Sequence, residues 1–175
     1  MLKNLLRSRP AVLDGDALYA LAVSQARSPA FYTRLGVDDR IDARFELYTL
    51  HVLLLVLRLR DDGDRGGEAG QVLFDTYVSA LDNTLRELGV GDVSVGKKMR
   101  KLGESLYGRM TAYEAPLRAG DETGLAAGLA RNVYGHEDGA AAGPLARYAI
   151  ASRAALAGQD FNAVVRQPDW AEISA

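Results

Sequence analysis

Residues 50–57, Leu-His-Val-Leu-Leu-Leu-Val-Leu, form the most apolar run in this chain, and Arg58 and Arg60 close it. A membrane-spanning helix needs about 20 predominantly apolar residues, so the run is too short to span a bilayer and too greasy to face water. It belongs inside a folded core. Extended towards its N-terminal side it joins a helical pattern, because Ile41, Phe45, Tyr48, Val52, Leu55, Val56 and Leu59 recur at spacings of three and four, the period of one helix face. A helix over residues 41–59 with a buried stripe is the element around which the rest must pack.

The flanking sequence repeats this grammar. Asp14 or Asp16 can cap a first helix carrying Leu18, Leu21, Ala22 and Val23, which ends near Ser28-Pro29 because a proline disfavours helical geometry in the residue before it. Phe31-Tyr32 falls in a connector. Residues 61–68, charged and glycine-rich, read as a mobile surface loop. A third helix is expected over residues 70–88 with Phe74, Val78, Leu81, Leu85 and Leu88 inward, and Gly89 suits its left-handed end.

A fourth helix starts after Asp92 or Ser94 and runs towards Pro116 or Ala119, with Val95, Met99, Leu102, Leu106, Met110, Tyr113 and Leu117 inside. Gly103 and Gly108 interrupt it, each at about 1 kcal/mol relative to alanine, so a close helix crossing or a kink is expected there. Asp121 caps a fifth helix with Leu125, Leu129 and Val133, ending near Gly135. Its Ala126, Ala127 and Ala130 allow close approach of a neighbour. Pro144 suits the first turn of a sixth helix bearing Leu145, Tyr148, Ala149, Ile150 and Leu156. No stretch alternates as a sheet would.

The expected fold is therefore all-α, a compact single-domain bundle of about six or more helices. Its parts are a basic amphipathic N-terminal segment at 1–13, a helical domain at 14–157 and a C-terminal tail at 158–175, whose Phe161, Val164, Val165 and Trp170 are apolar enough to dock. With 175 residues and 48 % hydrophobic positions, one sizeable core is the natural outcome. The N-terminal stretch lacks the apolar block and cleavage site of a secretory signal, so it reads as retained and the chain as cytoplasmic.

Candidate chemistry is sparse. Zero cysteines remove disulfides and thiolate metal sites, and 21 basic against 23 acidic residues leave a net charge of −2, which argues against broad binding to DNA. His51, inside the apolar run, reads as a neutral core imidazole bonded to a carbonyl or neighbouring side chain, and it lacks a second histidine at helical spacing for a metal. His136 reads as part of a solvated loop. The acidic pairs Asp38-Asp39, Asp61-Asp62 and Asp121-Glu122 sit where capping and solvation explain them, and no serine stands in a nucleophile elbow. No catalytic residue, cofactor or metal site emerges. The strongest charge feature is Lys97, Lys98, Arg100 and Lys101. Positions 97, 98 and 101 share an outward face, and with Arg109 they could meet anionic lipid, ribosomal RNA or an acidic client loop.

A set of dispersed words adds to this reading: Phe31-Tyr32, Arg44-Phe45-Glu46, His51, Arg58-Leu59, Gln71 with Asp75, Leu85-Arg86-Glu87 leading to Gly89-Val90-Gly91-Asp92, Gly96-Lys97, Gly108-Arg109, Tyr113, and Leu125-Ala126 leading to Arg131-Asn132. In this order, over residues 18–134, they resemble the ubiquinol-cytochrome c chaperone family. The resemblance implies a non-enzymatic, all-helical factor that binds newly synthesised cytochrome b and supports its maturation into respiratory complex III. It further implies peripheral work at the cytoplasmic face of the inner membrane, with possible contact to membrane or ribosome. Mitochondrial relatives would carry a bulky tryptophan at the position of Ala130 and a long N-terminal extension, so this chain looks like a bacterial member. On this basis the client-binding surface is expected at Arg86, Glu87, Asp92, Lys97, Lys98, Lys101, Arg109, Tyr113, Arg131 and Asn132. Two other classes compete: a helical binding protein or enzyme holding an isoprenoid or quinone-like ligand between its helices, and a regulator using the basic face on nucleic acid.

Overall fold

The computed structural model of the chain describes residues 13–87 and 92–174, the side chains of Asp92 and Val93 excepted. The basic N-terminal segment through residue 12, the glycine hinge at 89–91 and the Asp92 side chain of the expected client surface lie outside the described residues. Helix α1 (Gly15–Ala26) is capped by Asp14, whose Oδ1 accepts from the Ala17 amide at 3.1 Å. A short α2 (Ala30–Thr33) replaces the expected connector and buries Phe31. Then come α3 (Ile41–Arg60), α4 (Gly63–Glu87), α5 (Asp92–Ala119), α6 (Glu122–Leu129) with a π-helical turn at Ala130–Tyr134, α7 (Gly139–Ala157) and α8 (Phe161–Arg166). Among the described residues there is no strand, and the buried apolar side chains other than Val95 form one core.

Helix α3 runs through the centre, packed by α1, α4 and α7 and more lightly by α5. Every residue from His51 to Leu59 is buried, so the apolar run is covered on all sides. At roughly 1.5 to 3 kcal/mol for each fully buried leucine or valine, this helix is the largest single source of hydrophobic stabilisation. The periodicity overreached at its first residue: Ile41 is 81 % exposed, while Ala43 in the same turn is buried, so the inward side of the helix start is the one that carries Ala43.

Four expectations are corrected by packing. Residues 61–68 are ordered. Gly63, with φ +63°, reverses the chain, and α4 starts there, seven residues earlier than expected; a β-carbon on Gly66 would stand 1.7 Å from the Leu59 carbonyl oxygen, so the two helices meet at a distance only glycine permits. The acids of the turn are taken up by three helices, Asp61 by Arg118 and Arg153 and Asp62 by Arg58. Second, the most buried line of α4 is Ala69, Leu73 and Tyr77, while Phe74, Val78, Leu81 and Leu85 are half-buried, so the inner stripe is rotated from the one expected. Third, α5 is one continuous helix and the close crossing expected at Gly103 and Gly108 is absent: nothing lies within 4 Å of a β-carbon built on either, or on Gly96. Fourth, α7 begins before Pro144, because Asp138 accepts from the Ala140 amide at 2.9 Å and starts the helix at Gly139.

Caps at Asp121 and Asp160 start α6 and α8 in the same manner. The tail docks. Val164 is buried, Trp170 packs against His51, and the Ile173 carbonyl accepts from Arg34 at 3.1 Å.

Candidate functional site

The ten residues expected to meet a client separate into an inward and an outward group. Arg109 follows buried Leu106 by three residues on α5 and so lies on the flank of the inner stripe. From there its guanidinium reaches Glu46 on α3, with Nε donating to Oε2 at 2.5 Å and Nη2 bonded to Oε1, while Nη1 bonds Ser105. Only 15 % of the Arg109 side chain and 6 % of the Glu46 side chain are exposed. Arg109 therefore ties α5 to α3 and does not extend the lysine face, which corrects that part of the expected surface. Burial pushes the Glu46 carboxyl up, opposed by the bonds from Arg109.

Tyr113 lies one turn further along and is buried, with its hydroxyl accepting from Asn132 Nδ2 at 2.7 Å. A β-carbon on Gly128 of α6 would stand 2.9 Å from the Tyr113 ring, so the glycine lets the ring approach α6 closely. Burial raises the phenol to about 12. Tyr113 thus positions Asn132 on the π-helical turn, an irregularity often found at functional sites. Beside it Arg131 is exposed and stands 3.9 Å from Glu137. Ala130, which starts this turn, is fully buried, leaving no room for a bulkier side chain in the present packing.

The outward group behaves as the helical spacing predicts. Lys97, Lys98 and Lys101 are exposed along the first half of α5, as are Arg86 and Glu87 at the end of α4. Arg86 Nε donates to Asp82 Oδ2 at 2.6 Å.

Three features escaped sequence reasoning or were only partly seen. The first surrounds His51. Its Nδ1 lies 2.7 Å from the Leu47 carbonyl, which can only accept, so this nitrogen carries the proton and Nε2 accepts from the Tyr148 hydroxyl at 2.8 Å. Gln25 donates to the same hydroxyl at 3.0 Å, and the rings of Phe31 and Trp170 stand edge-on to the imidazole. Burial lowers His51 to about 4, against the smaller opposing effect of Leu47, so the imidazole is neutral near pH 7 with both nitrogens engaged. The neutral, satisfied state was legible in the sequence; Tyr148 and Trp170 as its neighbours were not.

The second is Arg58. Its Nε donates to the Leu156 carbonyl at 2.8 Å and Nη2 to the Gln159 carbonyl at 2.5 Å, with Nη1 on Asp62. A buried cation thereby clamps the turn that leaves α7, sharing the Leu156 carbonyl with the Gln159 amide at 3.2 Å, close to the helix end where the dipole favours positive charge. The third is a groove of about 300 Å³ between α3, α4 and α5, lined by Val56, Arg60, Gly70, Phe74 and Met110. Its rim is internally satisfied, with Arg60 facing Glu114 at 3.4 Å and Gln71 bonded to Asp75 at 2.7 Å. Among the described residues no group of three or more His, Asp or Glu side chains is placed to hold a metal ion.

Comparison with known proteins joins this geometry to a family. The chain is 22 % identical over 116 residues to ubiquinol-cytochrome-c reductase complex assembly factor 1 of Xenopus laevis, covering 66 % of this chain and 58 % of that protein. With its Mus musculus counterpart it shares 22 % identity over 117 residues, 67 % of this chain and 39 % of the relative. This chain therefore spans only part of either. The crystal structure of the Cbp3 homolog from Brucella abortus superimposes with a TM-score of 0.81 at 32 % identity, covering 91 % of this chain and 89 % of that one. Residues 33–169, from α2 to the docked tail, match the ubiquinol-cytochrome C chaperone family. On that match, supported by the shared fold, the chain belongs to the ubiquinol-cytochrome c chaperone family.

Proposed function

We propose that this chain is an assembly chaperone that binds newly made cytochrome b and supports its maturation into the ubiquinol-cytochrome c oxidoreductase complex, without catalysing a reaction of its own. The observation that carries this reading is the family match over residues 33–169. The chemistry of the molecule supports it: both histidine nitrogens at position 51 are engaged in the core, and the charged groups left outside suit non-covalent contact. The client contact falls on the exposed members of the expected set, Arg86, Glu87, Lys97, Lys98, Lys101 and Arg131, together with half-buried Asn132. Arg109 and Tyr113 hold that surface from beneath, and Asp92 belongs to the same stretch of chain. We place the protein at the cytoplasmic face of the inner membrane, as a peripheral factor.

The test is affinity purification of tagged protein from mild-detergent extracts, followed by identification of co-purifying subunits. Cytochrome b is expected above the level recovered with an unrelated tagged helical protein. Its absence across several mild detergents would remove the client assignment. Deletion of the gene should lower the amount of assembled complex III, and restoration by the intact gene is the control.

A further inference from the structure

We propose that the outward face of the first half of α5 is a docking surface for anionic lipid headgroups, which seats the protein on the bilayer in one orientation. The proposal rests on the function above for its reason to be at a membrane and refines it, giving Lys97, Lys98 and Lys101 to lipid and leaving Arg86, Glu87, Arg131 and Asn132 to the client. Four cations, Lys97, Lys98, Arg100 and Lys101, occur within five consecutive residues, and all are exposed. Among the described residues none of them forms an ion pair or a side-chain hydrogen bond. Arginines elsewhere are handled differently: Arg44, Arg58, Arg109, Arg118, Arg147 and Arg153 each meet a carboxylate.

Lys97 and Lys101 are four residues apart on a helix, and Lys98 and Lys101 three, spacings at which like charges repel. An internal counter-charge would relieve this. Among the described residues of α5, Glu104 is the acid on this side, exposed and outside any ion pair, and it lowers the local charge from +4 to about +3. Tyr107 lies two turns from Arg100 on the same line of the helix and is 74 % exposed, the side chain type that settles at headgroup level.

Charge distribution selects a bilayer over nucleic acid. The chain carries 21 basic and 23 acidic residues; without the four cations the remainder holds 17 against 23, a net −6. An anionic bilayer therefore attracts the lysine face and, on balance, repels the remainder, which favours one orientation. Binding to a nucleic-acid backbone draws on many phosphate contacts, and four cations on a chain with a pI of about 5.7 supply few. Among the described residues no helix is long and apolar enough to cross a membrane, so attachment through them is peripheral.

The test is co-sedimentation of the purified chain with vesicles of phosphatidylcholine, with and without about one third phosphatidylglycerol. Binding is expected only with the anionic lipid and should weaken with salt. Each basic residue near such a surface contributes about fivefold in partitioning, so Lys97→Gln, Lys98→Gln, Arg100→Gln and Lys101→Gln together should lower it by on the order of 100-fold or more. Glutamine keeps the helix, and circular dichroism checks the fold. Glu104→Gln should strengthen binding about fivefold. Equal binding to both vesicle types, an unchanged quadruple variant, or tighter binding to RNA than to anionic vesicles at the same salt overturns the proposal. If the wild type sediments as expected yet recovers no cytochrome b from extracts, the chaperone reading fails and the lipid surface stands; recovery of cytochrome b without anionic-lipid binding gives the reverse.

Discussion

The body built around α3 and the outer half of α5 use the same residue types to opposite ends. In the body, charges are internal fasteners: Glu46 with Arg109, Asp62 with Arg58, Asp61 with Arg118 and Arg153. On the outer half of α5 the lysines have no such partner among the described residues. Glycines divide the same way. Gly15, Gly66 and Gly128 lie where a β-carbon would strike a neighbour, while Gly96, Gly103 and Gly108 face open space. A glycine in a helix is explained by packing in the first group. In the second it weakens the helix with no contact in return, which keeps that half easier to deform when something binds.

Leu55→Ala tests the body at its strongest point. Leu55 is fully enclosed, and its truncation is expected to destabilise by about 2 to 5 kcal/mol, measured by urea denaturation. Leu106→Ala, buried on α5, belongs in the same range but towards its lower end, since fewer elements close over it. Were the order reversed, the division into a firm body and a looser α5 would be wrong.

Glu46→Ala strands the Arg109 guanidinium in a mostly buried site and should cost about 3 kcal/mol. The Glu46→Ala, Arg109→Ala double variant should lose less than the sum of the singles. Strict additivity would show that the pair does not couple α3 to α5.

His51 gives the body a pH dependence. Its folded value of about 4 lies below the ordinary 6.5. Between those values the unfolded chain takes up a proton that the folded chain refuses, so the stability contributed above pH 6.5 is lost as pH falls towards 4. The loss amounts to about 2 kcal/mol by pH 5. His51→Gln should be weaker at pH 7 but lack this part of the slope, and equal slopes in the two proteins would refute the assignment.

The smallest effects sharpen the glycine contrast. Gly66→Ala must displace the Leu59 carbonyl and should destabilise by about 1 to 3 kcal/mol. Gly103→Ala meets nothing and should stabilise by up to about 1 kcal/mol. Thermal midpoints moving in the same direction would erase the distinction.

What could be read from the sequence followed from local rules. The spacing from Phe45 to Leu59 and the caps at Asp14 and Asp121 depend on residues within one or two turns. Burial of Tyr113 was also legible, because it shares a line with Leu106 and Leu117; treating it as a surface contact went against that line. Partnerships across the chain were not legible. Nothing near Arg109 announces Glu46, 63 positions away, and nothing near Asp61 announces Arg153, 92 positions away. The stretch at 61–68 was misread for the same reason: composition described its solubility, while its order comes from arginines on other helices.

The docking of Trp170 on His51 has a consequence for how the chain is made. The central helix is fully synthesised at residue 60, yet its histidine is covered by a ring 119 positions later, and Arg34 waits for the Ile173 carbonyl. Contacts of such separation form only after their intervening chain exists. Until residue 173 has been synthesised, the imidazole and the apolar wall around it remain open on one side. Deletion of the residues after 167 should therefore uncover one side of the most apolar run, and the shortened chain is expected to aggregate more readily than the full one.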